Sequence, residues 1–219
     1  MSRGPFDPGL EALPDKLPIF PLTGVLLLPG GRLPLNIFEP RYLSLFDDAL
    51  AGNRLVGMIQ PAEAGSEQEE QAPAVYDTGC AGRITSFSET DDGRYMVTLT
   101  GLLRFDVREE LPSAAYRQVA ADYSRFHRDL EPMDPDIDRP RLLDALKIYF
   151  EMFNLEGDWD SIAQAPSERL VTSLAMLCPF EPWEKQALLE SESVATRAET
   201  LTALLEMAIH ERDGDTARH

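Results

Sequence analysis

The chain has 219 residues, 43% of them apolar and 26% charged, with 20 Lys and Arg against 38 Asp and Glu. That apolar share is ample for a packed core and excludes a fully disordered chain. The formal net charge of −18 works against nucleic acid, whose phosphates recruit clusters of Lys and Arg, and equally against an anionic membrane surface.

Residues 1–15 combine Gly, prolines and acidic side chains without periodicity, which predicts a flexible lead-in. Leu17 to Leu22 and Val25 to Leu28 are apolar runs broken by Pro18, Pro21 and Pro29. Proline removes a ladder donor, so these runs predict short strands and bends rather than helix. Leu35 to Phe38 is a further short strand. Pro40 then suits the first turn of a helix, where a missing N–H costs nothing. Tyr42, Leu45, Phe46 and Ala49 follow at i, i+3, i+4, i+7, and Gly52 stops the pattern.

Leu55 to Ile59 reads as a buried strand, and residues 61–74 as a polar acidic loop. Arg83 to Glu89 and Arg94 to Thr100 flank Asp91-Asp92-Gly93, a hairpin signal. After Gly101, Phe105 and Val107 alternate with Arg104, Asp106 and Arg108, and Val119, Ala121 and Tyr123 repeat the alternation. One face of each such strand is buried and one is wet, as in antiparallel meanders and barrels.

The period changes near residue 127. Residues 127–139 hold Pro132, Pro135 and five acidic residues and predict an acidic linker. Beyond it Leu142, Leu146, Tyr149 and Phe153 recur at helical spacing. Ser167 is the expected cap of a second helix ending at Pro179, Pro182 opens a third that turns Trp183, Ala187 and Leu188 inward, and a fourth runs from about Ser193. The pattern predicts an α+β protein. Its parts are a lead-in over 1–15, a β-rich part over 16–126, the linker over 127–139, a bundle of about four helices over 140–212 and a tail over 213–219.

Catalytic and metal motifs are sparse. Lys16, Lys147 and Lys185 follow Asp15, Leu146 and Glu184, so no lysine stands at phosphate-loop spacing. Histidine occurs only at His127, His210 and His219, and no Cys-x-x-Cys or His-Glu-x-x-His is present. His127 and the lysines at 147 and 185 are expected to be solvated, and the paired acids to be surface charge. No catalytic residue, metal or cofactor is expected on these grounds. Cys80 and Cys178 make no disulfide framework and are expected to be free and buried. Met1 to Pro8 lacks a signal peptide's apolar core, and Val25 to Leu28 falls far short of the roughly 20 residues that span a bilayer. Cytoplasmic localisation is the expectation.

One segment stands apart. Leu17 to Leu22, the Pro29-Gly30 turn and the box Leu35-Asn-Ile-Phe-Glu-Pro-Arg-Tyr42 resemble the N-terminal domain of the Lon protease family, the La substrate-binding domain. Gly82 to Ile84, Asp92 to Tyr95, Gly101 to Phe105, Ala175 to Phe180 and Glu184 to Leu189 extend the likeness over roughly residues 16–210. Asn36 departs from it, since relatives often have His there. The resemblance implies a PUA-like antiparallel β-barrel followed by a C-terminal helical bundle, in a stand-alone bacterial member without the ATPase and peptidase domains. It also implies a non-catalytic module that binds a polypeptide or protein partner, recognising unfolded or exposed apolar segments. The alternative is a small-molecule sensor using a pocket in the barrel. The candidate binding residues are Phe38, Glu39, Arg41 and Tyr42. Phe38 and Tyr42 are expected as core aromatics, and Glu39 and Arg41 as the lock of the strand-to-helix corner.

Overall fold

In a computed structural model, residues 6–62, 73–113, 115–131 and 135–216 are described, the side chains only as far as residue 212. The chain divides into two compact units, residues 1–132 and 133–219. Residues 1–5 of the expected lead-in, residues 63–72 of the expected acidic loop and residues 217–219 of the expected tail fall outside what is described, while the backbone of residues 213–216 continues the last helix.

The first unit is built on six strands, β1 (Lys16–Pro21), β2 (Arg32–Ile37), β3 (Leu55–Ile59), β4 (Thr78–Glu89), β5 (Tyr95–Leu111) and β6 (Gln118–Asp122), with helix α1 (Pro40–Ala51) between β2 and β3. Strand order is β2-β5-β4-β3-β1-β6, and β6 also pairs with β5. The pairings therefore run from β5 through β4, β3, β1 and β6 back to β5, a closed circuit of five strands with β2 added beside β5. The expected antiparallel sheet needs one correction. β1 and β3 are parallel, Ile19 opposite Gly57 and Phe20 opposite Met58. Parallel neighbours require a long crossover, which β2 and α1 supply.

Strand β5 serves both sides of the circuit. Its first half pairs with β2, Leu33 opposite Leu99, and its second half with β6, Val107 opposite Ala121. Register shifts between Ala81 and Gly82, Ile84 and Ser86, and Val107 and Glu109 supply the bends that let one strand do this. The sequence pattern splits β5 at Gly101, whereas the chain runs straight through. A Cβ on Gly101 would lie 2.1 Å from the Leu28 carbonyl oxygen, so this glycine permits a close backbone approach rather than a break. The approaching segment, Leu26 to Leu28, is buried without being a strand.

Leu17, Ile19, Leu55, Leu103, Phe105 and Val119 fill the circuit. The Phe105 ring occupies the volume left by Gly79, where an added Cβ would stand 2.6 Å from it. The lead-in is partly anchored: Asp7 pairs with Arg83 at 2.9 Å, and the Tyr123 hydroxyl donates to the Pro14 carbonyl at 3.1 Å. Residues Ser124–Leu130 form a 3-10 segment after β6. The Arg104 side chain takes the Asp129 carboxylate in two hydrogen bonds of 2.8 and 2.7 Å. The first residues of the expected linker are therefore docked on the strand layer.

Among the described residues the second unit has five helices, α2 (Arg139–Met152), α3 (Trp159–Gln164), α4 (Ser167–Leu177), α5 (Pro182–Glu190) and α6 (Val194–Thr216). The short α3 lies between the expected helices. Pro166, not Ser167, is the residue preceding α4. Helix α5 buries Lys185, Gln186, Leu188 and Leu189, while Trp183 is 58% exposed. The expected phase of this helix is thus corrected: positions 185, 188 and 189 share the inner stripe. Burial lowers the Lys185 pKa from its ordinary 10.5. Cys80 and Cys178 are free and buried, as expected.

Candidate functional site

The Phe-Glu-Pro-Arg-Tyr box sits where β2 hands over to α1. Leu35 and Ile37 are buried while Asn36 is exposed, the alternation of a strand with one wet face. Phe38 continues that alternation and is 63% exposed, which overturns its expected place in the core. Tyr42 does belong to the core. Its ring meets Phe20 of β1 edge-on, with centroids 4.3 Å apart.

Glu39 is the residue before the first helical turn, and its side chain does not cap α1. It instead accepts from Arg41, whose Nε and Nη2 each stand 2.9 Å from Glu39 Oε2. The Arg41 guanidinium also lies over the Tyr42 ring, 4.5 Å from its centroid. The expected corner lock is therefore a pair of neighbours held to one another on the surface. Exposed pairs of this kind contribute about 0–1 kcal/mol.

Facing Arg41 and Tyr42 are the end of β5 and its connection to β6. Together with Pro21 they enclose a cleft of about 490 Å³. Leu111, Pro112, Ala115 and Tyr116 supply apolar wall, and Glu110, Ser113 and Arg117 the polar groups. Arg117 holds the Glu110 carboxylate with Nε and Nη2 at 2.7 and 2.6 Å, and its Nη1 donates to the Pro73 carbonyl at 2.8 Å. The hydrogen bond from Arg117 draws the Glu110 pKa below its usual value. Tyr116 donates to Asp48 Oδ2 of α1 at 2.7 Å, tying the β5–β6 connection to the helix. Burial raises the pKa of Tyr42 while Arg41 and Arg117 both oppose the rise.

The structure thus brings Arg41 and Tyr42 into one cleft, keeps Glu39 beside Arg41, and leaves Phe38 outside the lining. Glu110, Tyr116 and Arg117 complete the site and were not indicated by the sequence. They lie some 70 residues from the box, and only the pairing of β6 with both β1 and β5 carries them to it. Apolar walls with a few fixed charges suit binding and orientation of a flexible ligand. Among the described residues no group of three or more His, Cys, Asp or Glu could hold a metal ion, and no helix is long and apolar enough to cross a membrane.

Residues 16–207 match the model of the ATP-dependent protease La (LON) substrate-binding domain. Lon protease 2 of Myxococcus xanthus is 31% identical over 118 residues, covering 52% of this chain and 14% of that protein. Lon protease of Desulfosudis oleivorans is 25% identical over 203 residues, or 89% of this chain and 24% of that protein. The chain therefore spans a quarter or less of these curated relatives. Among solved structures, a Lon N-terminal domain protein from Xanthomonas campestris superposes with a TM-score of 0.59 at 25% identity, covering 86% of this chain and 97% of that one. The N-terminal domain of the Mycobacterium avium complex Lon protease gives 0.58 at 16% identity, with 87% and 98% covered, and shares the fold. With most of its length inside the family model, the chain belongs to the ATP-dependent protease La (LON) substrate-binding domain family.

Proposed function

We propose that this protein is a non-catalytic polypeptide-binding module that recognises unfolded or exposed apolar segments in the cytoplasm. The observation that carries the reading is the cleft itself. The same box that marks the family contributes Arg41 and Tyr42 to a concave surface, with apolar walls from Pro21, Leu111 and Pro112. The closed circuit β5-β4-β3-β1-β6 supports a PUA-like barrel as the scaffold, and the two-unit division supports a separate helical bundle. The charge of −18 favours polypeptide over nucleic acid or anionic lipid.

The small-molecule sensor fits less well. Phe105, Leu103, Leu17 and Ile19 are fully buried within the circuit, so side chains occupy the space that an internal ligand would need. Calorimetric titration with a reduced, permanently unfolded protein tests the main reading. Saturable binding with a negative heat-capacity change is the expected result, because apolar surface is buried. No heat with any unfolded protein, alongside stoichiometric binding of one metabolite, would replace it with the sensor.

A further inference from the structure

The second unit carries a groove of its own. Helices α2 and α6 lie side by side: Arg141 Nε and Nη2 hold the Glu206 carboxylate at 2.8 and 2.7 Å. Further along both helices the Arg212 guanidinium lies 4.5 Å from the Phe153 ring centroid. Along this seam are two hollows of about 490 and 360 Å³, with Arg141 in the wall of both. The floor is low because alanines supply it. Ala145 of α2 and Ala198 of α6 are buried, and a methyl group leaves open the space that a longer side chain would fill. Ile137 lines one hollow and Ile148, 49% exposed, lines the other. At 1.5 Å per residue the two isoleucines are roughly 16 Å apart, about three turns of helix.

The rim of this groove is acidic. Asp136, Asp138, Asp144, Glu199 and Glu206 line it, opposed by one arginine and one histidine. The arginine, Arg141, is engaged with Glu206, and the Asp138 carboxylate accepts the Arg141 backbone N–H as the cap of α2. Asp136, Asp144 and Glu199 make no side-chain hydrogen bond or ion pair among the described residues. Three carboxylates thus border an apolar floor without a paired cation. A second copy of the chain would bring a further −18 to this rim and is disfavoured by its charge. A seam between two helices, apolar along about three turns, matches instead an amphipathic helix with apolar residues at i, i+3, i+4 and i+7. Lysines or arginines beside that stripe complement the rim.

We propose that the α2–α6 groove docks a basic amphipathic helix of a partner protein. Its apolar stripe packs over Ala145, Ala198 and Ile148, and its flanking cations pair with Asp144 on one wall and Glu199 on the other. The Arg141–Glu206 bridge joins the two walls and is open to solvent, with side chains 58% and 35% exposed. It therefore yields at little cost to an arriving cation that takes Glu206. The site belongs to the second unit and is independent of the polypeptide reading of the cleft.

Fluorescence anisotropy on the full chain tests this with a labelled, end-blocked peptide of about 15 residues, Leu at the stripe positions and Lys on both flanks. A scrambled isomer of the same composition and a version with Glu for Lys are the comparisons. The striped Lys peptide is expected to bind about tenfold more tightly than its scramble, and the Glu version not at all. Asp144→Lys with Glu199→Lys should weaken it about tenfold or more. Glu89→Lys with Glu109→Lys makes the same change of net charge in the strand unit and should weaken it little. Ile148→Gln should weaken binding several-fold, and Arg141→Gln should strengthen it. All these side chains are exposed, so thermal unfolding should show each variant folded. Equal binding of striped and scrambled peptides would overturn the inference, as would equal losses in the two Lys pairs, since either means attraction to bulk charge alone. No binding of the striped peptide would overturn it as well. Sedimentation showing a dimer that Ile148→Gln dissociates would give the groove to a second copy instead.

Discussion

Arg104 of β5 and Asp129 of the 3-10 segment form an enclosed ion pair, their side chains 3% and 5% exposed. Besides the two side-chain bonds, the Arg104 backbone N–H donates to Asp129 Oδ2 at 3.0 Å, and the guanidinium lies 4.3 Å from the Phe126 ring centroid. The pair fastens the chain leaving β6 back onto β5. Removing one partner strands a buried charge, so Arg104→Ala should cost about 3–5 kcal/mol in urea unfolding. The double variant Arg104→Met with Asp129→Leu should recover a large part of that loss. A single variant as stable as the parent would show that the pair is not closed in solution.

Two glycines separate steric crowding from backbone freedom. Gly101→Ala places a methyl group against the Leu28 carbonyl at 2.1 Å. Either β5 or the Leu26–Leu28 segment must move, and the expected loss is about 3 kcal/mol or more. Gly93 has φ +81° and open space around it, so Gly93→Ala should cost only about 1 kcal/mol through backbone strain. Thermal unfolding of the two variants should rank them in that order. The reverse order would contradict the packing described for Leu28.

Within the box, stability should follow burial rather than side-chain type. Tyr42→Ala removes a ring packed on Phe20 and should cost about 3 kcal/mol. Phe38→Ala, at an exposed position, should stay within about 0.5 kcal/mol of the parent. Equal losses at the two positions would place Phe38 in the core after all.

The acid limb of the stability curve should contain a contribution from Asp122. The Ser124 side chain and backbone N–H hydrogen-bond its carboxylate, and Arg108 adds to them, lowering its pKa from 3.8 to about 2. A depressed carboxyl pKa stabilises the folded state above the unfolded value, and that contribution is lost as pH falls through the folded one. Asp122→Asn should therefore destabilise at about pH 6 and differ little from the parent at about pH 2. A loss that does not shrink on acidification would assign the effect to packing rather than charge.

Cys178 should behave in the opposite sense. Burial pushes its thiol from 9.0 up to about 11, so the folded state keeps it protonated at pH values where an unfolded chain ionises it. Its contribution is complete below 9.0 and is lost as pH rises towards about 11. At mild alkaline pH, labelling by a thiol reagent should require the chain to open, so it should run far slower than that of a model thiol and accelerate as denaturant is added. Labelling as fast as a model thiol would contradict the burial.

Much of the architecture was legible because it is written locally. The Leu55–Ile59 strand, the Tyr42-Leu45-Phe46-Ala49 stripe and the change of period near residue 127 each depend on neighbours within one or two turns. Phe38 was misplaced because its aromatic character outweighed its parity, although Leu35 and Ile37 already fixed which face is inward. Trp183 and Lys185 were misphased for a similar reason: a nine-residue helix offers too few turns for composition to define its stripe. The Arg104–Asp129 and Arg117–Glu110 pairs and the Gly101–Leu28 approach depend on strand register and bulges. No periodicity within one segment encodes them. Of the candidate cleft only Arg41 and Tyr42 were readable from the box, and the larger β5–β6 side came only with the closure of the strands.

The most direct test of the account is hydrogen–deuterium exchange of the intact protein, with and without a saturating unfolded client. Binding in the cleft predicts slowed exchange at the first turn of α1, around Arg41 to Leu43, together with the β5–β6 connection around Leu111 to Arg117. Protection confined to the helical unit, or none under conditions where binding is saturated, would contradict the assignment of the polypeptide site to this cleft.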